Sequence, residues 1–402
     1  MSPDPTPAGI SETQINGIPP TRARVDLDAL AHNVRALCEH VGAGVSLIAV
    51  LKANAYGHGA PQVARAAVES GAARLAVARV DEGVELRRTG VGAPVHLLSY
   101  SHPSEADTVI RHDLRPTLTT VEGARALSAR AEALGREAVA HIKIDTGMGR
   151  YGLRPEEAVL FMQQIAGLPG LRVEGVFTHF AAADGNAADR AFTEQQGRRF
   201  EAALQALAGA GFTFELRHAA NSAATLAMPH LHFDAVRVGI AMYGLYPSDQ
   251  VAQPIALRPV MSLHSHVARV WDVAPGDSLG YGRTFTASQP MRAALVPVGY
   301  GDGFHRLLSN RGSVLIRGQR APLAGRVSMD QITVDVSGIE GVQQDDDVVL
   351  LGSQGEQTIT ADEIARHAET INYEVVTALS ARVPRVFVRG GQVIEVVRLT
   401  DC

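Results

Sequence analysis

Cysteine is scarce in this chain of 402 residues, which contains only Cys38 and the terminal Cys402. Two cysteines cannot build a disulfide framework or a four-cysteine zinc site. They fit a reducing compartment, for which we expect the cytoplasm. The sequence also lacks any run of 18 apolar residues, so it predicts no membrane-spanning helix. With 46% hydrophobic residues, the chain is long enough for two globular domains.

An excess of one charge is also missing, since 37 Lys and Arg are mixed with 42 Asp and Glu. This balance predicts no nucleic-acid partner. Two His-x-His pairs, His230–His232 and His264–His266, could suggest a metal, but neither has a third ligand at matching spacing, so we predict none. Residues 1–20 hold five prolines and lack the basic start and apolar core of a signal peptide, which predicts a disordered leader.

Short apolar segments alternate with amphipathic, alanine-rich helices over residues 21–254. The predicted strands are Val45–Leu51, Arg74–Ala78, Pro94–Ser99, Arg115–Thr119, Val139–Ile144, Arg172–Thr178, Phe214–Ala219 and Ala235–Val238. Eight strands alternating with helices predict an α/β fold, a (β/α)8 barrel of the TIM type. A doubly wound sheet would need a glycine-rich dinucleotide loop after its first strand, and the sequence has none there.

Polar residues follow several of these strands, at the rim where barrels of this type carry their chemistry. They are Lys52 and Tyr56 after the first strand, Asp145–Arg150 after the fifth, His179 after the sixth, Asn221 and Ser222 after the seventh, and Arg237, Gly239 and Ile240 at the eighth. Ser222 begins a predicted short helix whose free N–H groups suit an anion, and Gly239 lets its backbone approach a phosphate. Taken alone, the Asn221-Ser222 pair is equally typical of an ordinary helix cap.

Lys52, at the end of the first strand, has two interpretations. Most lysines at such a position are solvated charges at the rim. The alternative is a desolvated amine that bonds covalently to a carbonyl cofactor. The lysine alone does not decide between them, so the residues around it must.

The composition changes near Gln253, and residues 255–402 predict a second, predominantly β domain. One helix is predicted to begin at Thr360, which opens a capping box. Three glycine-rich loops of this domain hold Tyr281, Tyr300 and Met329. A tyrosine between glycines usually lies on a tight surface turn, and a lone methionine usually fills a core. The loops alone therefore assign no function.

Taken together, the motifs resemble the alanine racemase family from about Thr21 to Val397. They are Val-Leu-Lys-Ala-Asn-Ala-Tyr-Gly-His-Gly, Lys-Ile-Asp-Thr-Gly-Met-Gly-Arg, Thr-His-Phe, Ala-Asn-Ser-Ala, Arg-Val-Gly-Ile, Gly-Tyr-Gly, Gly-Tyr-Gly-Asp-Gly, Ser-Met-Asp and Ile-Asn-Tyr-Glu. The resemblance implies a pyridoxal 5'-phosphate (PLP) enzyme of fold type III that racemises alanine. It also implies a homodimer in which each site combines one subunit's barrel with the other subunit's β domain.

The resemblance also implies residue roles. Lys52 and Tyr281 correspond to the two catalytic bases, and Lys52 also binds the cofactor covalently. The other matched cofactor residues are Tyr56, Arg150, His179, Asn221, Ser222, Arg237, Gly239, Ile240 and Tyr373, and the matched substrate residues are Arg150, Met329 and Tyr300. Arg306 and Asp330 match entryway residues, and Lys143 matches a lysine that some members carbamylate. Ser328 departs from the pattern, because many members have cysteine there.

Two alternatives remain open at this stage. One is a broader amino-acid racemase on the same scaffold, which would take serine or larger side chains and need a wider entrance. The other is a non-catalytic PLP-binding protein. The predicted second domain and Arg237 argue against the latter, since such proteins resemble a lone barrel. If the host is bacterial, the favoured activity would supply D-alanine for peptidoglycan.

Overall fold

The structure, a computed structural model, describes residues 18–401, so most of the predicted leader lies outside the described residues. The chain forms two compact units. One is Leu30–Arg258, and the other combines the residues up to Ala29 with those from Pro259 onward. The described part of the chain contains no helix that is both long and apolar enough to cross a membrane.

The boundary at the start of the barrel differs from the sequence interpretation, which began the barrel domain at residue 21. The first strand, β1 (Arg22–Asp26), groups instead with the second unit. Its alternating pattern leaves Ala23 and Val25 fully buried, as expected of a strand that packs one face against a core. The partners of β1 lie more than 200 residues further along the chain, so no local pattern could reveal them.

The unit Leu30–Arg258 is a closed barrel of eight parallel strands, in which the last strand pairs with the first. The strands are β2 (Ser46–Val50), β3 (Arg74–Val77), β4 (Val95–Tyr100), β5 (Leu114–Leu118), β6 (Ala138–Lys143), β7 (Leu171–Phe177), β8 (Leu216–His218) and β9 (Ala235–Val238). Each coincides with a predicted strand to within a few residues, so the predicted barrel is confirmed. Every residue of β6 and β9 is buried, which suits strands covered on both faces.

Helical segments precede and connect the barrel strands, and the second of them is a left-handed turn. They are α1 (Leu27–Val41), α2 (Lys52–Tyr56), α3 (Ala60–Glu69), α4 (Val80–Arg88), α5 (Ala106–Arg111), α6 (Val121–Ala133), α7 (Ala158–Ile165), α8 (Ala187–Gly209) and α9 (Ser222–Ala227). Side-chain caps fix several of their starts: the Thr120 hydroxyl accepts from Gly123 N at 3.2 Å, and the Asn186 side chain accepts from Ala188 N at 2.8 Å. Such caps satisfy N–H groups that the first turn leaves without helical partners.

The second unit is sheet-rich, as predicted. Its strands after β1 are β10 (Met261–His266), β11 (Arg269–Val273), β12 (Ser278–Leu279), β13 (Phe285–Thr286), β14 (Met291–Val296), β15 (Ser313–Ile316), β16 (Gln319–Pro322), β17 (Ile332–Asp335), β18 (Asp347–Gln354), β19 (Gln357–Ile359), β20 (Arg385–Arg389) and β21 (Gln392–Val397). The main sheet has the order β16-β15-β18-β10-β1-β20-β21, with β19 paired to β18.

Two helices, α10 (Ala361–His367) and α11 (Asn372–Thr377), complete this unit. The helix predicted at Thr360 is confirmed, because the Thr360 hydroxyl accepts from Glu363 N at 3.0 Å. Residues Met261–Val270 contain parts of two strands, since β10 ends at His266 and β11 starts at Arg269.

Candidate active site

The residues directly after β2 form a left-handed turn that begins beside Lys52. Ala53, Asn54, Ala55 and Tyr56 all have φ between 53° and 54°. For residues with a side chain, this conformation costs on the order of 1–2 kcal/mol each, and such strain concentrates at functional sites. The sequence does not predict this turn, because none of the four residues is glycine.

Hydrogen bonds hold the turn. Ala55 N donates to Leu51 O at 2.7 Å, and Gly57 N donates to Ala53 O at 3.0 Å. The carboxylate of Glu82 accepts from Ala53 N at 2.6 Å. These bonds give hydrogen-bond partners to backbone groups of the left-handed turn. The strand β2 before Lys52 and the bonded turn after it therefore fix the direction of the Lys52 side chain at the rim.

A buried aromatic layer supports the turn from inside the barrel. The His58 ring stacks on Tyr243 with centroids 4.4 Å apart, and the Tyr243 hydroxyl donates to Val50 O at 2.9 Å. His58 Nδ1 lies 2.9 Å from Tyr56 O, so this nitrogen carries the proton. His58 therefore supports the turn that carries Tyr56.

The chain contains only two lysines, Lys52 and Lys143, and 35 of its 37 basic residues are arginine. Lys143 ends β6, and Lys52 follows the end of β2 by two residues. The Lys52 side chain is exposed at the rim, yet crowding protein atoms desolvate its amine. This burial, together with the charges of Arg150 and Arg237, lowers the pKa of Lys52, while Glu82 opposes the shift. The amine is thereby biased toward its neutral, nucleophilic form.

Lys143 has a stronger shift. Its side chain is 2% exposed, and its amine lies 4.2 Å from the centroid of the Tyr151 ring. Burial, followed by the charges of Arg150 and Arg237, lowers the pKa of Lys143 to about 8. Arg150 itself ends a loop organised by the Asp145 carboxylate, which accepts from Arg150 N at 3.1 Å.

Tyr56, Ser222 and Gly239 come together across the barrel rim. The buried Ser222 hydroxyl accepts from Gly239 N at 3.0 Å. A Cβ on Gly239 would lie 2.4 Å from the Tyr56 hydroxyl, so only glycine allows this approach. Asn221 caps α9 by accepting from Ala224 N at 3.1 Å, and the buried Ile240 follows Gly239 directly. The cap interpretation of Asn221 is therefore confirmed, while Ser222 faces backbone N–H groups of another segment.

Arg237 lies at the centre of a buried polar network. Its Nη2 atom lies 2.8 Å from both Thr178 O and Ala219 O and 3.1 Å from His179 Nδ1, so its two hydrogens are shared among three acceptors. Its Nη1 atom donates to His218 Nδ1 at 2.8 Å. Arginine can only donate, so both histidines accept at Nδ1. Burial and the charge of Arg237 lower the pKa of each histidine, which keeps both rings neutral.

The network continues into the barrel interior as a series of hydrogen bonds, in which each histidine accepts from the residue before it and donates to the residue after it. A neutral His218 that accepts at Nδ1 carries its proton on Nε2, which lies 2.9 Å from His141 Nδ1. His141 then donates through Nε2 to Glu174, 3.1 Å away. Although burial alone would raise the pKa of Glu174, hydrogen bonds from His141 and Arg74 hold it at about 2. Each donor is thus matched to an acceptor, from Arg237 to the Glu174 carboxylate.

Among the described residues, His96, His141 and Glu174 place potential metal-ligand atoms within 4.8 Å of one another. Arg74 and Arg115 already contact the Glu174 carboxylate, at 2.9 Å and 3.5 Å. A divalent cation would therefore meet two positive charges at the same carboxylate. The arrangement favours the hydrogen-bonded chain over a metal centre.

Tyr281, Tyr300 and Met329, predicted from the glycine-rich loops, are all exposed on the second unit, at 71%, 42% and 52%. Tyr300 N donates to Ser328 O at 3.0 Å, so two of the loops are joined through their backbones. Tyr373 lies half-buried on α11. The methionine does not fill a core, and the tyrosine rings lie at the surface, as tight turns predict.

Comparison with known proteins gives one family over almost the whole chain. Residues 25–247 match the family model of the alanine racemase N-terminal domain, and residues 260–387 match that of the C-terminal domain. The chain belongs to the alanine racemase family. This membership makes it an isomerase of the racemase class.

Individual relatives agree with the family models. The alanine racemase of Symbiobacterium thermophilum is 47% identical over 380 residues, covering 94% of this chain and 99% of the relative. That of Desulfosudis oleivorans is 46% identical over 379 residues, covering 92% and 97%. The solved alanine racemase of Bacillus anthracis has a TM-score of 0.90 and 39% identity, covering 96% of this chain and 99% of that structure.

The sequence motifs do not indicate several residues that support the site in this chain. His141, Glu174 and His218 are buried inside the barrel, and they extend the Arg237 network. The signal in the sequence that could have indicated them is that each is a titratable residue within a predicted strand that is otherwise mostly apolar. Glu82, which holds the turn after Lys52, gave no signal beyond its place in the first turn of α4.

Proposed function

We propose that the chain is an alanine racemase that interconverts L- and D-alanine with PLP bound covalently to Lys52. One observation carries this proposal: Lys52 extends from a strained turn at the rim of a barrel whose other strand ends hold Arg237, Ser222 and Gly239. The family relationship supports the same reaction. When bound, PLP draws electrons from the α carbon of an attached amino acid and so acidifies its proton.

The chemistry of the residues present fits PLP. Ser222 and Tyr56 supply a hydroxyl and a phenol, which are donors suited to a phosphate, and Gly239 lets its backbone approach the phosphate closely. Arg237 would contact the pyridine nitrogen as a donor. Because an arginine cannot take up a proton there, the ring nitrogen stays neutral and withdraws fewer electrons than a protonated ring. This choice disfavours side reactions such as transamination.

The reaction needs a proton acceptor on each face of the substrate. We propose that Nζ of Lys52 serves one face and the Tyr281 phenol of a second subunit serves the other, in a homodimer with shared sites. Burial and nearby cations lower the pKa of Lys52, which favours the amine that accepts a proton. Arg237 and His179, whose nitrogen atoms lie 3.1 Å apart, would form the polar network behind this tyrosine.

The substrate carboxylate is assigned to Arg150 and to the N–H of Met329, and Tyr300 is assigned to the entrance. Tyr300 and the Met329 loop would restrict the pocket to a small side chain, which favours alanine over serine or larger amino acids. We further propose a cytoplasmic enzyme that supplies D-alanine for peptidoglycan in a bacterial host, consistent with its two cysteines.

A racemisation panel over alanine, serine and larger amino acids tests the assignment. We expect the highest kcat/KM for alanine. Comparable values for larger substrates would favour the broad-specificity racemase, and PLP binding without any turnover would favour the non-catalytic binding protein. Lys52→Ala should lose the visible absorbance band of lysine-bound PLP, and retention of that band would contradict the role of Lys52.

Mixed dimers test the shared site. Lys52→Ala and Tyr281→Phe homodimers should each be severely impaired, whereas a mixture that exchanges subunits should recover activity, because one of its two sites holds both bases. Tyr281→Phe alone should slow exchange of the α proton of L-alanine more than that of D-alanine. Equal slowing in both directions, or no recovery on mixing, would contradict the two-base assignment.

A further inference from the structure

We propose that Glu82 is a positioning residue, because its carboxylate holds the backbone directly after Lys52 and so sets the direction and the electrostatic surroundings of that side chain. The proposal rests on the proposed role of Lys52 as the amine that binds PLP. It concerns a residue on a helix after the neighbouring strand, outside every segment to which the preceding subsections assign cofactor or substrate contacts.

The carboxylate of Glu82 joins the exits of two adjacent barrel strands. Oε1 accepts from Ala53 N, the residue after Lys52, at 2.6 Å. Oε2 accepts from Ala78 N at 2.8 Å and from Arg79 N at 3.0 Å, directly after β3. One ionised side chain therefore satisfies three backbone donors from two loops, and hydrogen bonds to a charged acceptor are the stronger kind.

The contact at Ala53 falls where the chain turns left-handed. Ala53 is the first of the four residues with positive φ, and Lys52 immediately precedes them. Without an acceptor for Ala53 N–H, the turn would lose the bond that joins its start to the neighbouring strand exit. A relaxed turn would swing Lys52 at one end and Tyr56 at the other, so both the amine and the phosphate donor would move.

Glu82 also supplies the negative charge that faces Lys52. The charged groups that affect the Lys52 amine are Arg150 and Arg237, which disfavour its protonation, and Glu82, which favours it. Lys143 ends β6, a strand that does not pair with β2, and its amine responds to the same two arginines. Removing the charge of Glu82 leaves burial and the arginines unopposed, so the Lys52 amine should lose its proton at lower pH.

Two variants of Glu82 separate position from charge. Glu82→Gln keeps the size of the side chain, removes its charge and replaces one of its two accepting oxygens with a donor, while Glu82→Asp keeps the charge and both oxygens on a shorter side chain. Asp81→Asn is the matched control, because Asp81 is an exposed acidic residue in the same first turn of α4. It removes an equal charge from the helix start without touching the turn after Lys52.

The decisive readout is independent of catalysis. Acetic anhydride labelling of the full chain freed of PLP, followed across pH by mass spectrometry, reports only Lys52, Lys143 and the chain's amino terminus, because the chain has no other lysine. We expect the pH midpoint for Lys52 labelling to fall in Glu82→Gln and to stay near the unsubstituted value in Glu82→Asp. Labelling of Lys143 serves as an internal reference.

Activity of the PLP-loaded enzyme gives the second readout. Misplacement of a reacting group by about 1 Å can cost on the order of 100-fold in rate, so we expect Glu82→Gln and Glu82→Asp to lower kcat by at least about tenfold. KM for alanine should change much less, since the residues assigned to the substrate carboxylate are intact.

Unchanged labelling and kcat in Glu82→Gln, matching Asp81→Asn, would overturn the proposal for Glu82 and leave the proposed function intact. A fall in kcat with no shift of the Lys52 midpoint in Glu82→Gln would overturn the charge effect. If the unsubstituted protein racemises no amino acid, the proposed function fails, and the labelling midpoint still decides the charge effect of Glu82.

Discussion

Nη1 of Arg237 lies 2.8 Å from Nδ1 of His218, inside the barrel. Because arginine only donates, this contact fixes the His218 tautomer and, through it, the direction of the bonds to His141 and Glu174. The residue assigned to the pyridine nitrogen of PLP is therefore held by a chain that ends at an ionised carboxylate. A side chain that must direct a single N–H at a cofactor gains orientation from such support.

Removal of the acceptor tests this support. His218→Leu would leave a buried Arg237 N–H without its partner, at a cost of roughly 1–3 kcal/mol. We expect a lower free energy of unfolding and a lower kcat, with the exposed His102→Ala as the control. Urea unfolding and racemisation kinetics measure the two effects. A His218→Leu variant as stable and active as the control would contradict the supporting role of the hydrogen bonds that run from Arg237 to Glu174.

A methyl group at Gly239 tests the phosphate cradle. In Gly239→Ala the new Cβ would lie 2.4 Å from the Tyr56 hydroxyl and 3.0 Å from its Cζ. Overpacking of this kind costs about 1–3 kcal/mol, so we expect PLP affinity to fall roughly 5- to 150-fold. Gly209→Ala is the control, because a Cβ there meets nothing within 4 Å.

The double variant Gly239→Ala with Tyr56→Phe would relieve the closest contact. Each variant is compared with its own parent, which is the unsubstituted protein for Gly239→Ala and Tyr56→Phe for the double variant. In absorbance titrations with PLP, the loss of PLP affinity should be larger for Gly239→Ala than for the double variant. Equal PLP affinity in Gly239→Ala and Gly209→Ala would contradict the close approach of Tyr56 to Gly239.

The barrel was predictable from sequence because each of its strands is a short apolar segment followed by a helix with local stop signals. Lys52, Ser222 and Arg237 could be placed at the rim for the same reason, since the rim of a barrel collects whatever follows its strands, and their roles stay predictions. The left-handed turn at Ala53 was not predictable, because alanine and tyrosine disfavour positive φ and only tertiary contacts stabilise it. Its stabilising partner, Glu82, lies across a strand boundary, 29 residues from Ala53.

The pairing of β1 was hidden for a related reason. Ala23 and Val25 alternate with less buried residues, as in any half-buried strand, and that pattern contains no information about partners at Met261 or Phe387. The buried chain through His141 was likewise hidden, because a histidine within an apolar strand does not reveal which side chains of other strands it meets.

The lowered pKa of Lys143 predicts a pH-dependent stability. Its pKa falls from 10.5 to about 8 in the folded chain, so between these values the unfolded chain holds a proton that the folded chain has released. Stability therefore rises with pH across this window. We expect the free energy of unfolding of the unsubstituted protein, relative to Lys143→Met, to increase between pH 8 and pH 10. Urea titrations in buffers free of carbon dioxide measure this difference, and a flat or falling difference would contradict the shift.

Arg382 connects the two loops that carry Tyr300 and Met329. Its Nε atom lies 3.0 Å from the buried Asp302, and its Nη2 atom lies 2.7 Å from Asp330. Asp302 in turn accepts from Gly299 N at 2.8 Å. One guanidinium therefore holds the loop assigned to the substrate entrance against the loop whose N–H is assigned to the substrate carboxylate.

Loss of this connection should affect substrate binding before chemistry. In Arg382→Met the two loops would keep their backbone bonds, such as Gly301 N to Met329 O at 2.8 Å, but lose the charged bridge. Ion pairs with an exposed guanidinium contribute about 0.2–1 kcal/mol each, so we expect KM for alanine to rise about two- to fivefold with little change in kcat. Arg389→Met, an exposed arginine of the same unit, is the control. A variant that lowers kcat and leaves KM unchanged would contradict a role in holding the substrate loops.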